Sequence, residues 1–151
     1  MKWITREHAK VNRIACPWLI KNFIDKDAKF LFVLAHKIFE IMRNENAIAF
    51  DIPNVELGHH GDECSFDAII KKYELDKKNP ELLILAEIVR GADTEKRHLT
   101  PPVSRACSNC CCFHITSKDD YDNMEKQFPV YDPLYTFAKT DNKETFLTSR
   151  H

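Results

Sequence analysis

Apolar residues in the first half of the chain switch between two rhythms. Lys2 to Thr5 has the short alternation of a strand, and then Val11, Ile14, Ala15, Trp18, Leu19 and Phe23 return every three or four positions, the spacing of one helix face. Lys29 to Leu34 is a continuous apolar and aromatic run suited to a buried strand. Ile38, Ile41 and Met42 bring back the helical period between Lys37 and Arg43, and Ala47 to Ile52 reads as a third strand. Strand, helix, strand, helix, strand predicts two right-handed crossovers and a small, mainly parallel sheet of about three strands. Pro17 interrupts the first helical pattern, where it cannot donate to the carbonyl of Arg13, so a kink or restart is expected there.

Beyond residue 64 the pattern is helical only. Ser65 suits an N-cap for a helix through Tyr73, whose inner face is Phe66, Ile69, Ile70 and Tyr73. Asn79 and Pro80 fit the N-cap and first position of another helix, with a stripe of Leu82, Leu85, Ala86 and Val89 that Gly91 should stop. A polar stretch from Ala92 to Pro102 reads as loop. Asp119 or Asp120 can cap a short helix through Phe128, and past Pro129 the residues Val130, Tyr131, Leu134, Tyr135 and Ala138 predict a last amphipathic helix. The fold class is therefore α/β or α+β, with the sheet in the N-terminal half and a helix-rich C-terminal half. Residues 1–140 form one domain and 141–151 a flexible tail.

A chain of 151 residues is long enough to bury a core without staples. Its 22 basic and 23 acidic side chains nearly cancel, so no overall field draws it to nucleic acid or to an acidic membrane. No apolar run approaches the roughly 20 residues needed to span a bilayer. Charge follows Met1 to Glu7 where a signal peptide would be apolar, and the expected compartment is the cytoplasm. Six cysteines, at 16, 64, 107, 110, 111 and 112, are then expected to be reduced.

The richest stretch for chemistry is Glu56 to Asp67, which places His59, His60, Cys64 and Asp67 around two glycines and a helix start. Imidazole, thiolate and carboxylate are common metal ligands, though the spacing H-x4-C-x2-D matches no standard zinc pattern. The positive end of the helix should attract anions and favour the thiolate of Cys64; a small buried apolar role is the competing expectation. Arg90 and Asp93 supply a guanidinium and a carboxylate at a helix end, either for a ligand or for a salt bridge. Arg13, beside Pro17, is either an anion clamp or the structural partner of an acid such as Asp51 or Asp67. Cys107, Cys110, Cys111 and Cys112 contain a CxxC near His114 but lack the second pair that structural zinc usually takes. Tyr131 and Asp132 either reach a pocket or pack the ring in the core.

Six segments together resemble the C-terminal domain of chromate-resistance protein B: Lys2–Glu7, Val11–Ile20, Phe50–Pro53, Glu56–Gly61, Cys64–Asp67 and Ala86–Asp93. A seventh, Val130–Tyr135, is similar to a Tyr-Asp element of that family, whereas residues 97–120 depart from its pattern. The resemblance implies a cytoplasmic protein linked to chromate resistance, whose full-length relatives act on transcription of a chromate-efflux operon. Those relatives carry a further N-terminal region, so direct binding of nucleic acid is not expected of this chain alone. Carry-over to matching positions covers Arg13, Cys16, His59, Cys64, Asp67, Arg90 and Asp93.

Three readings stay open. The first is a sensor-like domain that binds chromate or a similar small oxyanion through Arg13 and Arg90, and/or a metal ion through His59, Cys64, Asp67 and Asp93, supported by Cys16, Glu56, His60, Tyr131 and Asp132. Guanidinium groups and helix N-terminal amides are the physical hosts for a dianion of sulfate-like shape. The second is a small hydrolase-like enzyme that holds zinc, manganese or iron on His and Asp, with His60 or Glu63 moving protons. The third is an interaction module without ligand, in which the apolar face from Phe128 to Phe137 serves a homodimer.

Overall fold

The computed structural model describes residues 1–93 and 113–148, with side chains through 140. Three strands, β1 (Lys2–Arg6), β2 (Lys29–Val33) and β3 (Ile48–Ala49), form one sheet in the order β2-β1-β3. Both pairings are parallel, with Trp3 opposite Phe30 on one side and Ile48 on the other. The period of two in β1 sends Trp3 and Ile4 to opposite faces, and each joins a different buried cluster. Helix α1 (Val11–Phe23) covers the Trp3 face, while α2 (Ile38–Glu45) covers the Ile4 face through Ile38.

The main core lies between the sheet, α1, α3 (Ser65–Lys72) and α4 (Leu82–Asp93). Ile14, Leu19, Phe66, Ile69, Leu85 and Val89 are among its fully buried side chains, as the 3.6-residue spacing predicts. A one-turn α5 (Phe113–Thr116) precedes the long α6 (Asp120–Thr148), which packs on α1 and α4.

Four local expectations are corrected. Helix α1 is continuous through the buried Pro17, since Ile14, Trp18 and Leu19 anchor it on both sides and outweigh one missing backbone bond. The third strand keeps only two of its expected residues, because Asp51 takes φ of 50° and turns the chain off the sheet; Phe50 adds a single parallel bridge to Leu57. Helix α4 runs on through Gly91 to Asp93, with the burial of Val89 and Ala92 offsetting the roughly 1 kcal/mol a helical glycine costs. Pro129 does not separate two helices: α6 contains both Pro129 and Pro133, held by the burial of Tyr131, Leu134 and Ala138 against α1 and α4.

The helical backbone is described as far as Thr148, past the position where a tail is expected. In the face proposed for a homodimer, Tyr131, Leu134 and Ala138 are buried within the chain's own core, and Phe128 and Tyr135 pack against it. Phe137 is exposed. Among the described residues no helix is long and apolar enough to cross a membrane.

Candidate functional site

Parallel sheets gather loops, and therefore chemistry, at the carboxyl ends of their strands. Here β1 ends in Arg6 and leads to Asn12 and Arg13 in the first turn of α1, while β3 leads to Asp51. The loop from Asp51 to Cys64 then folds back over this edge. Its turns are enforced locally. Asp51 and Asn54 have φ of 50° and 64°, and Gly61 has φ of 63° inside a turn closed by His60 and Glu63. Gly58 permits a close approach: a Cβ there would stand 2.6 Å from the carbonyl oxygen of Ile52.

Asp51 is the hub, with only 6% of its surface exposed. Its Oδ1 accepts a hydrogen bond from Ser65 Oγ at 3.0 Å and lies 3.0 Å from His59 Nε2. Its Oδ2 lies 3.5 Å from Arg13 Nε. The same His59 nitrogen is 3.5 Å from Asp93 Oδ2, which also accepts a hydrogen bond from Asn12 Nδ2 at 2.6 Å. One half-exposed imidazole thus spans two carboxylates that come from distant parts of the chain. The hydrogen bond to Asp51 raises the pKa of His59 despite partial burial. Burial, and then the charge of Asp51, push Asp93 up to about 6, against the opposing pull of His59, Asn12 and Arg13.

Arg13 also donates to the carbonyls of Glu7 and Arg6, at 3.1 and 3.5 Å, which ties α1 to the end of β1. Burial lowers its pKa from the usual value, and the neighbouring Arg6 adds to that effect while Asp51 opposes it. Arg6 acts in the same sense on His59, so three cationic groups share this edge.

Asp67 belongs to a second constellation. Cys64, not Ser65, is the N-cap of α3, and the Asp67 carboxylate accepts its backbone N–H at 3.0 Å. Cys64 Sγ donates to the same oxygen at 3.2 Å, and Arg90 Nε stands 3.6 Å from it. The expected thiolate at a positive helix end is reversed: burial, followed by the charge of Asp67, drives the Cys64 thiol well above its ordinary value. Cys16 is likewise buried and pushed up, chiefly by desolvation, under the influence of Asp51, Cys64, Asp93 and Asp67.

Sequence reasoning places Arg13, His59 and Asp93 in one cluster, and the structure brings these three together through Asp51. Both arginines take the salt-bridge alternative, Arg13 with Asp51 and Arg90 with Asp67. His60 turns away onto the carbonyl of Glu56, and the Glu56 carboxylate pairs with Lys72 on the surface. Tyr131 and Asp132 fasten α6 to α1: the Tyr131 hydroxyl donates to Val11 O at 3.4 Å, and Trp18 Nε1 donates to Asp132 Oδ1 at 3.0 Å. The cysteines at 107, 110, 111 and 112 lie outside the described residues. Among the described residues, no three or more His, Cys, Asp or Glu side chains are preassembled as a metal-holding group. Asn12 and Arg6 were missed, although their places beside the carboxyl end of the first strand could have flagged them.

The family model of the ChrB C-terminal domain matches residues 3–138. The chain belongs to the ChrB C-terminal domain family. Membership relates it to chromate resistance. Over 78 residues it is 37% identical to Protein ChrB of Cupriavidus metallidurans, a match covering 50% of this chain and 22% of that protein. The match therefore spans about a fifth of the length of that ChrB relative. No solved structure matches it at a significant level. The ChrB resemblance read from the six segments covers both clusters, since Arg13, Asp51, His59, Cys64, Asp67, Arg90 and Asp93 all lie within the matched span.

Proposed function

We propose that this ChrB C-terminal domain is a sensor-like binding module for a small oxyanion of the chromate class, held at the carboxyl edge of the sheet. The supporting observation is a guanidinium donor without an acceptor: among the described residues Arg6 Nε is buried and has no hydrogen-bond partner, whereas Arg90 Nε, also without a hydrogen bond, faces Asp67 Oδ2 at 3.6 Å. A buried N–H left unpaired costs about 1–3 kcal/mol, and an incoming oxyanion would recover that cost with charge-assisted bonds. Arg6 stands where its charge reaches Arg13 and His59, so an anion there meets three cations rather than one. The carboxylates of Asp51 and Asp67 hold the neighbouring guanidinium groups in position and limit the affinity, as a sensor requires.

Calorimetry of the purified chain with chromate, and with sulfate as a same-shaped competitor, tests the reading. Saturable binding that weakens at least tenfold in Arg6→Gln, with unchanged thermal unfolding, is the expected result. Absence of saturable heat with either anion would refute it.

A further inference from the structure

A separate feature of the same edge points to a cation. Asn12 is 1% exposed, and its amide nitrogen is committed to Asp93 Oδ2 at 2.6 Å. That bond fixes the orientation of the amide and leaves Asn12 Oδ1 a buried acceptor with no donor. Buried amide oxygens are rarely left so, because the loss of water is uncompensated. Asp93 Oδ2, to which that amide is tied, faces the half-exposed His59, which also faces Asp51; with the Asn12 oxygen the set is one imidazole nitrogen and two kinds of oxygen donor, amide and carboxylate.

We propose that Asn12, Asp51, His59 and Asp93 form a binding site for one divalent metal ion of the manganese, iron or zinc class. The two spacings from His59 agree with this. His59 Nε2 lies 3.0 Å from Asp51 Oδ1 and 3.5 Å from Asp93 Oδ2. Metal bonds of about 2.0–2.2 Å require ligand-to-ligand edges of roughly 3.0 Å at right angles and roughly 3.4 Å in a tetrahedron. The His59 N–H now joins the two carboxylates; on loading, that proton leaves to solvent and the ion takes its place. The oxygen-rich set favours harder ions over thiophilic ones. Cys64 and Asp67 drop out of the donor set, since they are engaged with each other and with Arg90.

The inference stands apart from the oxyanion reading, because a metal titration without chromate addresses it alone. The ion would also help an anion to bind, by neutralising Asp51 and Asp93 while leaving Arg6 and Arg13 in place. The test is a titration of the reduced full chain with manganese(II), in which free ion is counted by its paramagnetic resonance signal. One ion per chain is expected, with binding weakened at least tenfold in Asn12→Ala and in the near-isosteric Asp93→Asn. A variant with Cys107→Ser, Cys110→Ser, Cys111→Ser and Cys112→Ser should bind as before. Circular dichroism of each variant confirms that it is folded, and His59→Gln stands in for any that is not. Absence of stoichiometric uptake, or uptake unchanged in all of Asn12→Ala, Asp93→Asn and His59→Gln, would overturn the site. Chromate binding that persists in a chain taking up no manganese would refute only the metal, and the reverse only the oxyanion.

Discussion

Replacing Asp67 separates the helix-capping role of this carboxylate from its pairing with Arg90. In Asp67→Ala the backbone N–H of Cys64, buried and bonded at 3.0 Å, loses its acceptor. Loss of an N-terminal capping acceptor costs about 1 kcal/mol, and an N–H left dry raises that toward about 2 kcal/mol. The pair with Arg90 adds less: the arginine side chain is 33% exposed and its Nε stands 3.6 Å away, so about 0.5–1 kcal/mol is appropriate. The sum is about 2.5–3 kcal/mol. Asp67→Asn keeps an oxygen that can accept the Cys64 N–H, and should cost only about 1 kcal/mol. Urea unfolding followed by Trp3 and Trp18 fluorescence measures both, provided the denaturant slope is unchanged. A double-mutant cycle with Arg90→Ala should return a coupling of about 0.5–1 kcal/mol. Equal costs for the Ala and Asn variants would refute the assignment of the larger share to the helix cap.

Other residues carry their own tests. Gly58→Ala forces its new Cβ against the Ile52 carbonyl oxygen, 2.6 Å away, and should destabilise the loop by about 1–3 kcal/mol in urea unfolding while weakening the proposed ion binding through displaced His59. Asp93, raised to about 6 in the native state, binds a proton there that the unfolded chain releases near pH 4. In metal-free protein this contribution is present below pH 4 and lost as pH rises through 6, by about 3 kcal/mol at most; His59, also raised, acts in the same direction at higher pH. The stability of the native chain relative to Asp93→Asn should therefore fall between pH 4 and 7, and parallel profiles would contradict it. Cys16 and Cys64, buried and held as thiols, should resist alkylation in the folded chain, as mass spectrometry of labelled peptides would read out. Asp132→Ala removes the acceptor of the Trp18 indole and should cost about 1 kcal/mol, with a red-shifted tryptophan emission as the local sign.

Much of the scaffold was legible because burial follows period. The six apolar positions of α1, from Val11 to Phe23, fall on one face that packs inward, and the β-α-β-α-β order translates into a parallel sheet with a helix on either side. Most of the failures are at prolines, glycines and turn residues, where a local preference of about 1–3 kcal/mol meets tertiary burial. Pro17 and Pro129 would each break an isolated helix, and Gly91 would weaken one. In this fold they sit between buried residues, and the helices continue through them. Asp51 is the converse: nothing in its apolar surroundings betrays a φ of 50°, yet that single residue ends the third strand and starts the site.

The site was legible by residue type and illegible by partnership. Composition singled out His59, Asp93, Arg13 and Cys64, but a sequence has no means of showing that a carboxylate is filled by an arginine or that a thiol donates to its own helix cap. Once those bonds are drawn, the candidates divide. Cys64 and Asp67 are hydrogen-bonded to each other and Asp67 pairs with Arg90 around the start of α3, which sets the thiol apart as a ligand and gives the helix end to a protein carboxylate. His59, Asp51, Asp93, Asn12, Arg6 and Arg13 remain unbalanced, with a buried amide oxygen lacking a donor and a buried guanidinium N–H lacking an acceptor. Those two deficits have opposite polarity. A single small ligand of either charge would relieve one of them and leave the other, so the cation and the oxyanion proposed above would complement each other at this edge rather than compete for it.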